Sequence, residues 1–148
     1  YGNKGEGPGR TTKIPTQPFL QWKTRVVQLK SVPAGATISY DRTFRAERDT
    51  RIATLDVGYS DGYPRILSNR GAVLIRGRRC PVAGRVTMNL TMVDVGPDSC
   101  VQTGDEAVLL GRQGDAAVWA DELAGLASTI SYEILTNIRT PDKRFRKE

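Results

Sequence analysis

The feature that most limits the folds open to this chain is the rhythm of its apolar residues. Between Phe19 and Trp119, short runs rich in β-branched residues alternate at close spacing with Gly, Pro, Asn and Asp turns. Thr24 to Val32 is the longest run and stops at Pro33-Ala34-Gly35. Thr37 to Tyr40, Ile52 to Gly58, Ala72 to Ile75, Cys80 to Ala83, Val86 to Met88, Leu90 to Val95, Glu106 to Gly111 and Ala116 to Trp119 continue the series. Arg76-Gly77 reads as a hairpin turn, and Ser60-Asp61-Gly62-Tyr63-Pro64 is dense turn chemistry. Many short strands separated by such turns predict a mostly β fold, a barrel or sandwich. The period then changes. Ala120 to Ala127 and Ser131 to Ile138 carry apolar residues at helical spacing, which predicts a short helical pair near the C-terminus. Asp121 and Glu122 suit the start of the first helix, and Ser128 or Thr129 is the expected cap of the second.

The 148 residues suit a single domain with a real core. Residues 1–18, with repeated Gly and Pro and no hydrophobic period, read as a linker or tail; 19–140 read as the β domain; 141–148 read as a basic, solvated tail. The opening Tyr1 to Arg10 is polar and Gly-rich and does not read as a secretory leader. No apolar run approaches the roughly 20 residues of a membrane span, so no membrane partner is expected.

Composition narrows the chemistry. The chain has no His, which excludes His-ligated metals and His-activated Ser or Cys nucleophiles within it, and no metal site is expected. Two cysteines, Cys80 and Cys100, are too few for a disulfide framework; they are two buried thiols or one bridge. The formal charge of +6 is scattered, apart from Arg76-Gly77-Arg78-Arg79 and the C-terminal tail. A basic β-barrel binding single-stranded nucleic acid needs aromatic stacking platforms; aromatics make up only 7% of this chain, so no nucleic-acid partner is expected.

Several blocks, in order, resemble the alanine racemase family. They are Trp22 to Lys30, Pro33-Ala34-Gly35, Ile38-Ser39-Tyr40-Asp41-Arg42-Thr43-Phe44, Arg48 to Ala53, Val57 to Arg65, Pro81 to Asn89, Val93-Asp94-Val95, Gly104 to Gly111 and Ile130 to Leu135. Together they run from about residue 20 to 140. In that family an N-terminal (β/α)8 barrel holds pyridoxal 5'-phosphate on a lysine. A mostly β C-terminal domain completes the partner subunit's site in a head-to-tail homodimer. This chain resembles the second part only. Its lysines, Lys4, Lys13, Lys23, Lys30, Lys143 and Lys147, stand outside anything like the cofactor-lysine motif. The expectation is therefore a truncated chain, a fragment or a separately expressed domain, inactive alone because the cofactor barrel is missing.

The resemblance implies residue roles. Racemisation removes the α-proton of an amino acid from one face and returns it on the other, so it needs two bases and an electron sink. Tyr40 matches the catalytic tyrosine of one face; a free phenol titrates near 10, so neighbours must tune it. Met88 matches the position whose backbone N–H holds the substrate carboxylate. Tyr132 matches a tyrosine that reaches the cofactor phosphate. Tyr59, Arg65 and Arg85 match the substrate channel, where positive charge attracts a carboxylate. The implied activity is interconversion of L- and D-alanine in the bacterial cytoplasm, supplying D-alanine for peptidoglycan. Two positions depart from the common pattern. Asp41 stands where many members carry Gly, and Asn89 where Asp is common. Both look closer to broad-specificity amino acid racemases, which accept larger side chains and are often exported to the periplasm.

Overall fold

A computed structural model describes residues 20–139; the expected linker and basic tail lie outside the described residues. The backbone is organised by one long strand, β1 (Trp22–Val32). Its first half pairs with β8 (Glu106–Gln113) and its second half with β4 (Thr50–Leu55), both antiparallel. The register slips between Val26 and Gln28, so Val27 is the extra residue of a bulge and stands 46% exposed although its neighbour Val26 is buried. The remaining members are β5 (Ala72–Ile75), β6 (Arg78–Pro81), β7 (Thr91–Asp94) and β9 (Ala116–Val118). They complete a seven-stranded sheet in the order β6-β5-β8-β1-β4-β7, with β9 on β8. The sheet is not closed. Among the described residues its two edges are bonded only through a single bridge, Val82 to Val93, and the bond from Ala83 N–H to the Met92 carbonyl at 2.8 Å. The mostly β expectation holds, and the main sheet is open and antiparallel, with a separate two-stranded sheet beside it.

The main core lies against this sheet: Val26, Leu55, Val73 to Ile75, Val93 and Ala107 to Leu110 are all buried. Two helices cover part of it. α1 (Ala120–Ala127) buries Ala120, Leu123 and Ala124, a stripe at i, i+3 and i+4, and carries Asp121 and Glu122 in its first turn. α2 (Ser131–Thr136) buries Ile134 against the same core. Burying a side chain of this kind contributes about 2 kcal/mol. The expected cap of α2 is not observed. Ile130 occupies the capping position, Ser128 instead ends α1 in the left-handed conformation, and the Thr129 hydroxyl bonds the Glu133 carboxylate. A serine needed to terminate one helix cannot also begin the next.

A second, smaller core of Val32, Ile38, Ala46, Ile52 and Ala83, with Phe44 against it, supports a separate hairpin. That hairpin pairs β2 (Thr37–Ile38) with β3 (Phe44–Arg45). The strand expected over Thr37 to Tyr40 stops at Ile38 because Ser39 turns to φ 65°. Val86 to Met88 is likewise not a strand. Its backbone donors are satisfied sideways, Val86 N–H by the Ser68 hydroxyl at 3.0 Å and Thr87 N–H by the Leu90 carbonyl at 2.9 Å, so no ladder forms. These two departures produce the loops that carry Tyr40 and Met88.

Candidate active site

Three irregular turns come together at one end of the fold. The first, 39–43, is the tip of the β2–β3 hairpin and contains a short 3-10 turn over Tyr40–Arg42. Ser39, Asp41 and Arg42 all have positive φ, at 65°, 61° and 52°. For non-glycine residues this is a strained conformation, of order 1 kcal/mol each, and it turns the intervening Tyr40 outward. Tyr40 is 70% exposed, and its phenol makes no hydrogen bond among the described residues.

The second turn is 84–90. The Ser39 hydroxyl donates to the Arg85 carbonyl at 2.9 Å, and Arg85 Nε lies 3.4 Å from Asp41 Oδ2. Gly84, at φ 87°, allows this approach: a Cβ there would come within 2.6 Å of Ser39 Cβ and 2.8 Å of the Ile38 carbonyl oxygen. Asn69 bridges the same two turns. Its amide nitrogen donates to Thr43 Oγ1 at 3.1 Å, and its carbonyl oxygen accepts the Gly84 N–H at 2.6 Å. Thr87 and Leu90 close the 84–90 turn on each other, and the backbone N–H of Met88 is left without a hydrogen-bond partner among the described residues. Met88 itself is 55% exposed, so it is not a core methionine.

The third turn is 58–63. Tyr59 N–H donates to the Thr87 carbonyl at 3.0 Å, Ser60 N–H to the Met88 carbonyl at 2.9 Å, and the Ser60 hydroxyl to that same carbonyl at 2.7 Å. Asn89 then donates from its amide to Ser60 Oγ at 3.1 Å. With the serine proton committed to Met88, position 89 must supply a donor to complete this link, which an amide does and a carboxylate does not. Asp61 accepts the Gly58 N–H at 2.9 Å and holds the turn shut. Tyr59 is exposed at its outer edge; Tyr63, behind it, is fully buried with its ring centroid 6.0 Å from that of Trp22. The Tyr63 hydroxyl has no partner among the described residues, and burial, then the nearby Glu122 charge, push its ionisation far above the ordinary phenol range.

The structure thus ties Tyr40, Arg85, Met88 and Tyr59 into one hydrogen-bonded frame. Arg65 stands beside it, exposed, with its guanidinium unpaired among the described residues. Tyr132 stands apart on α2, 60% exposed; the segment after α2 joins the frame, where the Arg139 N–H donates to the Asp61 carbonyl at 2.8 Å. A cleft of about 340 Å³ lies between α2 and the third turn, lined by Tyr59, Ser60, Ile66, Glu133 and Arg139 among others. The frame carries Arg42 and Arg85 against Asp41 and Asp61, and the adjoining Arg65 adds a positive charge that favours an anion beside it. Sequence reading missed Ser39, Asn69, Ser60 and Gly84, which build the frame. Their bonds span 26 residues for Asn69 to Thr43 and 46 for Ser39 to Arg85, and local turn chemistry carries no signal of such pairings.

Cys80 and Cys100 are both free, and only the first is buried as expected; Cys100 is exposed. No group of three or more metal-ligating side chains occurs among the described residues, and no described helix is long and apolar enough to cross a membrane.

These features sit in a chain with close relatives. The family described as "Alanine racemase, C-terminal domain" matches residues 19–146. The chain is 56% identical over 138 residues to an alanine racemase of Symbiobacterium thermophilum, covering 93% of this chain and 37% of that protein. It is 53% identical over 128 residues to one of Methylacidiphilum infernorum, covering 86% and 33%. It therefore spans about a third of the length of the curated relatives it matches. Solved structures agree. The alanine racemase of Bacillus anthracis with bound L-Ala-P superposes with a TM-score of 0.77 at 41% identity, over 82% of this chain and 31% of that one. That of Bartonella henselae, solved with covalently bound pyridoxal phosphate, superposes at 0.80 with 32% identity, over 90% and 37%. On the family match and on this identity, the chain belongs to the alanine racemase C-terminal domain family.

Proposed function

We propose that this chain is the part of a pyridoxal-phosphate-dependent alanine racemase that presents a proton-transferring tyrosine and a carboxylate-binding turn to a site completed by other residues. The observation that carries the reading is the exposure of Tyr40 on a turn locked to the Met88 loop. An acid or base that serves a site inside its own domain would be enclosed there; this phenol points outward and is held only through its backbone. Tyr40 in its ionised form takes the α-proton of L-alanine: the Cα–H bond breaks, the O–H bond forms, and a base on the opposite face returns a proton to give D-alanine. In the reverse direction the Tyr40 O–H gives its proton to Cα. The Met88 N–H, unpartnered and on a rigid turn, orients the substrate by donating to its carboxylate. Arg65 and Arg85 raise the local concentration of that anion.

The residues fit such a cofactor in part. Tyr132 offers an exposed phenolic donor for a phosphate oxygen. The two described lysines, Lys23 and Lys30, lie on β1, and Lys23 is already paired with Glu106 at 3.1 Å, so neither supplies a covalent attachment beside Tyr40. Pyridoxal phosphate, when bound, supplies the electron sink that makes the α-proton acidic. The partner in this reading is a second copy in a head-to-tail dimer. Tyr40, Tyr59, Met88, Leu90 and Tyr132 are exposed on the site turns or α2, and exposed Ile66 lines the cleft between them, a concentration that favours burial by another subunit. The product is D-alanine for peptidoglycan. A cytoplasmic location accords with two free thiols, one of them exposed.

Asp41 and Asn89 also fit a racemase of broader substrate range. Turnover of alanine, lysine and arginine by the complete enzyme separates the two. Alanine racemisation at least tenfold faster than that of the basic amino acids supports the reading. Comparable rates on all three replace it with the broad-specificity activity, and no racemisation of any of them refutes both.

A further inference from the structure

We propose that Asp41 is a positioning residue for Tyr40, acting through Arg85. The inference rests on the racemase reading above and extends it to a residue outside the reacting groups. Tyr40 is bracketed by two contacts to one residue. On its N-terminal side the Ser39 hydroxyl holds the Arg85 carbonyl at 2.9 Å; on its C-terminal side the Asp41 carboxylate faces Arg85 Nε at 3.4 Å. The first grips the main chain of residue 85 and the second its side chain, so together they fix both the position and the twist of the turn between them.

Three observations assign the Asp41 contact more than an incidental role. Asp41 sits at φ 61°, ψ 4°, a conformation glycine adopts freely and an L-residue adopts under strain, so the side chain is retained where none would be the relaxed choice. Arg85 Nε is buried and has no hydrogen bond among the described residues, so the Asp41 carboxylate is the charge that answers it. Finally, the Tyr40 ring has no hydrogen bond of its own and is largely exposed, so its direction is set by the turn and by nothing beyond it among the described residues. Loss of the Asp41–Arg85 pair leaves the turn held at its two ends, by Ser39 and by the Asn69–Thr43 bond, and lets the segment between them twist. The phenolic oxygen, at the end of the longest lever in the turn, moves most.

The test uses the complete, cofactor-loaded enzyme with Asp41→Asn, Asp41→Gly, Arg85→Gln and the double variant Asp41→Asn with Arg85→Gln. Asparagine tolerates the left-handed conformation and keeps the size; glycine relaxes it. With either replacement kcat/KM for alanine falls about fivefold, the factor that the upper range of an exposed ion pair supports. The fall is equal in both directions, because the two enantiomers have equal free energy. The discriminating readout is the primary isotope effect. With α-deuterated L-alanine it rises in the Asp41 variants, because the Tyr40 transfer becomes more rate-limiting, while with α-deuterated D-alanine it falls or stays constant. The double variant is no slower than Arg85→Gln alone, and Asp41→Gly melts at or above the wild-type temperature. Unchanged kcat/KM, additive losses in the double variant, or isotope effects that shift equally for both enantiomers overturn the proposal while leaving the racemase reading intact. A wild-type enzyme that does not racemise alanine overturns the reading and the proposal with it.

Discussion

Gly58 is the position where a single methyl group tests the frame. Its own φ of −149° is ordinary extended backbone, so alanine meets no conformational obstacle there. The obstacle is space: a Cβ at 58 would lie 2.3 Å from the carbonyl oxygens of both Thr87 and Met88, and real Cβ atoms do not approach below 3.0 Å. The Tyr59 turn must therefore retreat from the Met88 turn by about 0.7 Å. That retreat stretches Tyr59 N–H to Thr87, Ser60 N–H to Met88 and Ser60 Oγ to Met88, now 3.0, 2.9 and 2.7 Å. Three bonds at about 1 kcal/mol each, less up to about 1 kcal/mol gained from a stiffer unfolded chain, leave a net loss of about 2 kcal/mol. Urea denaturation reads this as a lower midpoint at constant slope. Because the displaced carbonyl belongs to Met88, KM for alanine should rise together with the loss of stability. A Gly58→Ala variant as stable as the wild type, with an unchanged KM, refutes the idea that these two turns form one rigid unit.

Other perturbations read other parts of the molecule. Tyr63→Phe deletes a buried hydroxyl that has no partner, so thermal stability should stay level or rise by up to about 1 kcal/mol; a clear loss would reveal a hydrogen bond to the hydroxyl. A thiol reagent added to the native protein should label Cys100 alone, because Cys80 is buried and desolvation pushes its thiol up; both label in denaturant, and native labelling of Cys80 contradicts the packing. The Arg76 guanidinium, then the Gln102 N–H, hold the Asp105 carboxyl below the usual carboxylate range. A group depressed on folding stabilises above its unfolded pKa, near 3.9, and that contribution fades as pH falls toward the folded value. Asp105→Asn should therefore be less stable than the wild type at pH 6, and the difference should shrink toward pH 2; a difference that grows on acidification contradicts the assignment.

How far the sequence reveals this site depends on the range of each interaction. α1 is legible because its stripe of Ala120, Leu123 and Ala124 is a local pattern, and its observed bounds coincide with the reading. The β5–β6 hairpin is legible because Arg76-Gly77 is a local turn. The residues that touch substrate or cofactor in the proposed function, Tyr40, Met88 and Tyr132, are reached through family resemblance, and no property of their neighbours in sequence singles them out. Val86 to Met88 reads as a strand and is not one, because its hydrogen-bond partners, Ser68 and Leu90, outcompete a ladder that no neighbouring strand offers. The same holds for Ser128, whose composition suits a cap but whose left-handed backbone ends the preceding helix. Long-range side-chain bonds such as Asn69 to Gly84 leave no periodic trace, so the frame that aims Tyr40 is visible only in three dimensions.

The account stands or falls on whether Tyr40 handles the proton of one enantiomer alone, which a Tyr40→Phe variant of the complete enzyme in deuterium oxide measures directly. The account predicts that L-alanine keeps its α-hydrogen, that D-alanine still exchanges its own by way of the opposite base, that racemisation is lost, and that cofactor absorbance is unchanged. Deuterium entering L-alanine at the wild-type rate would contradict it.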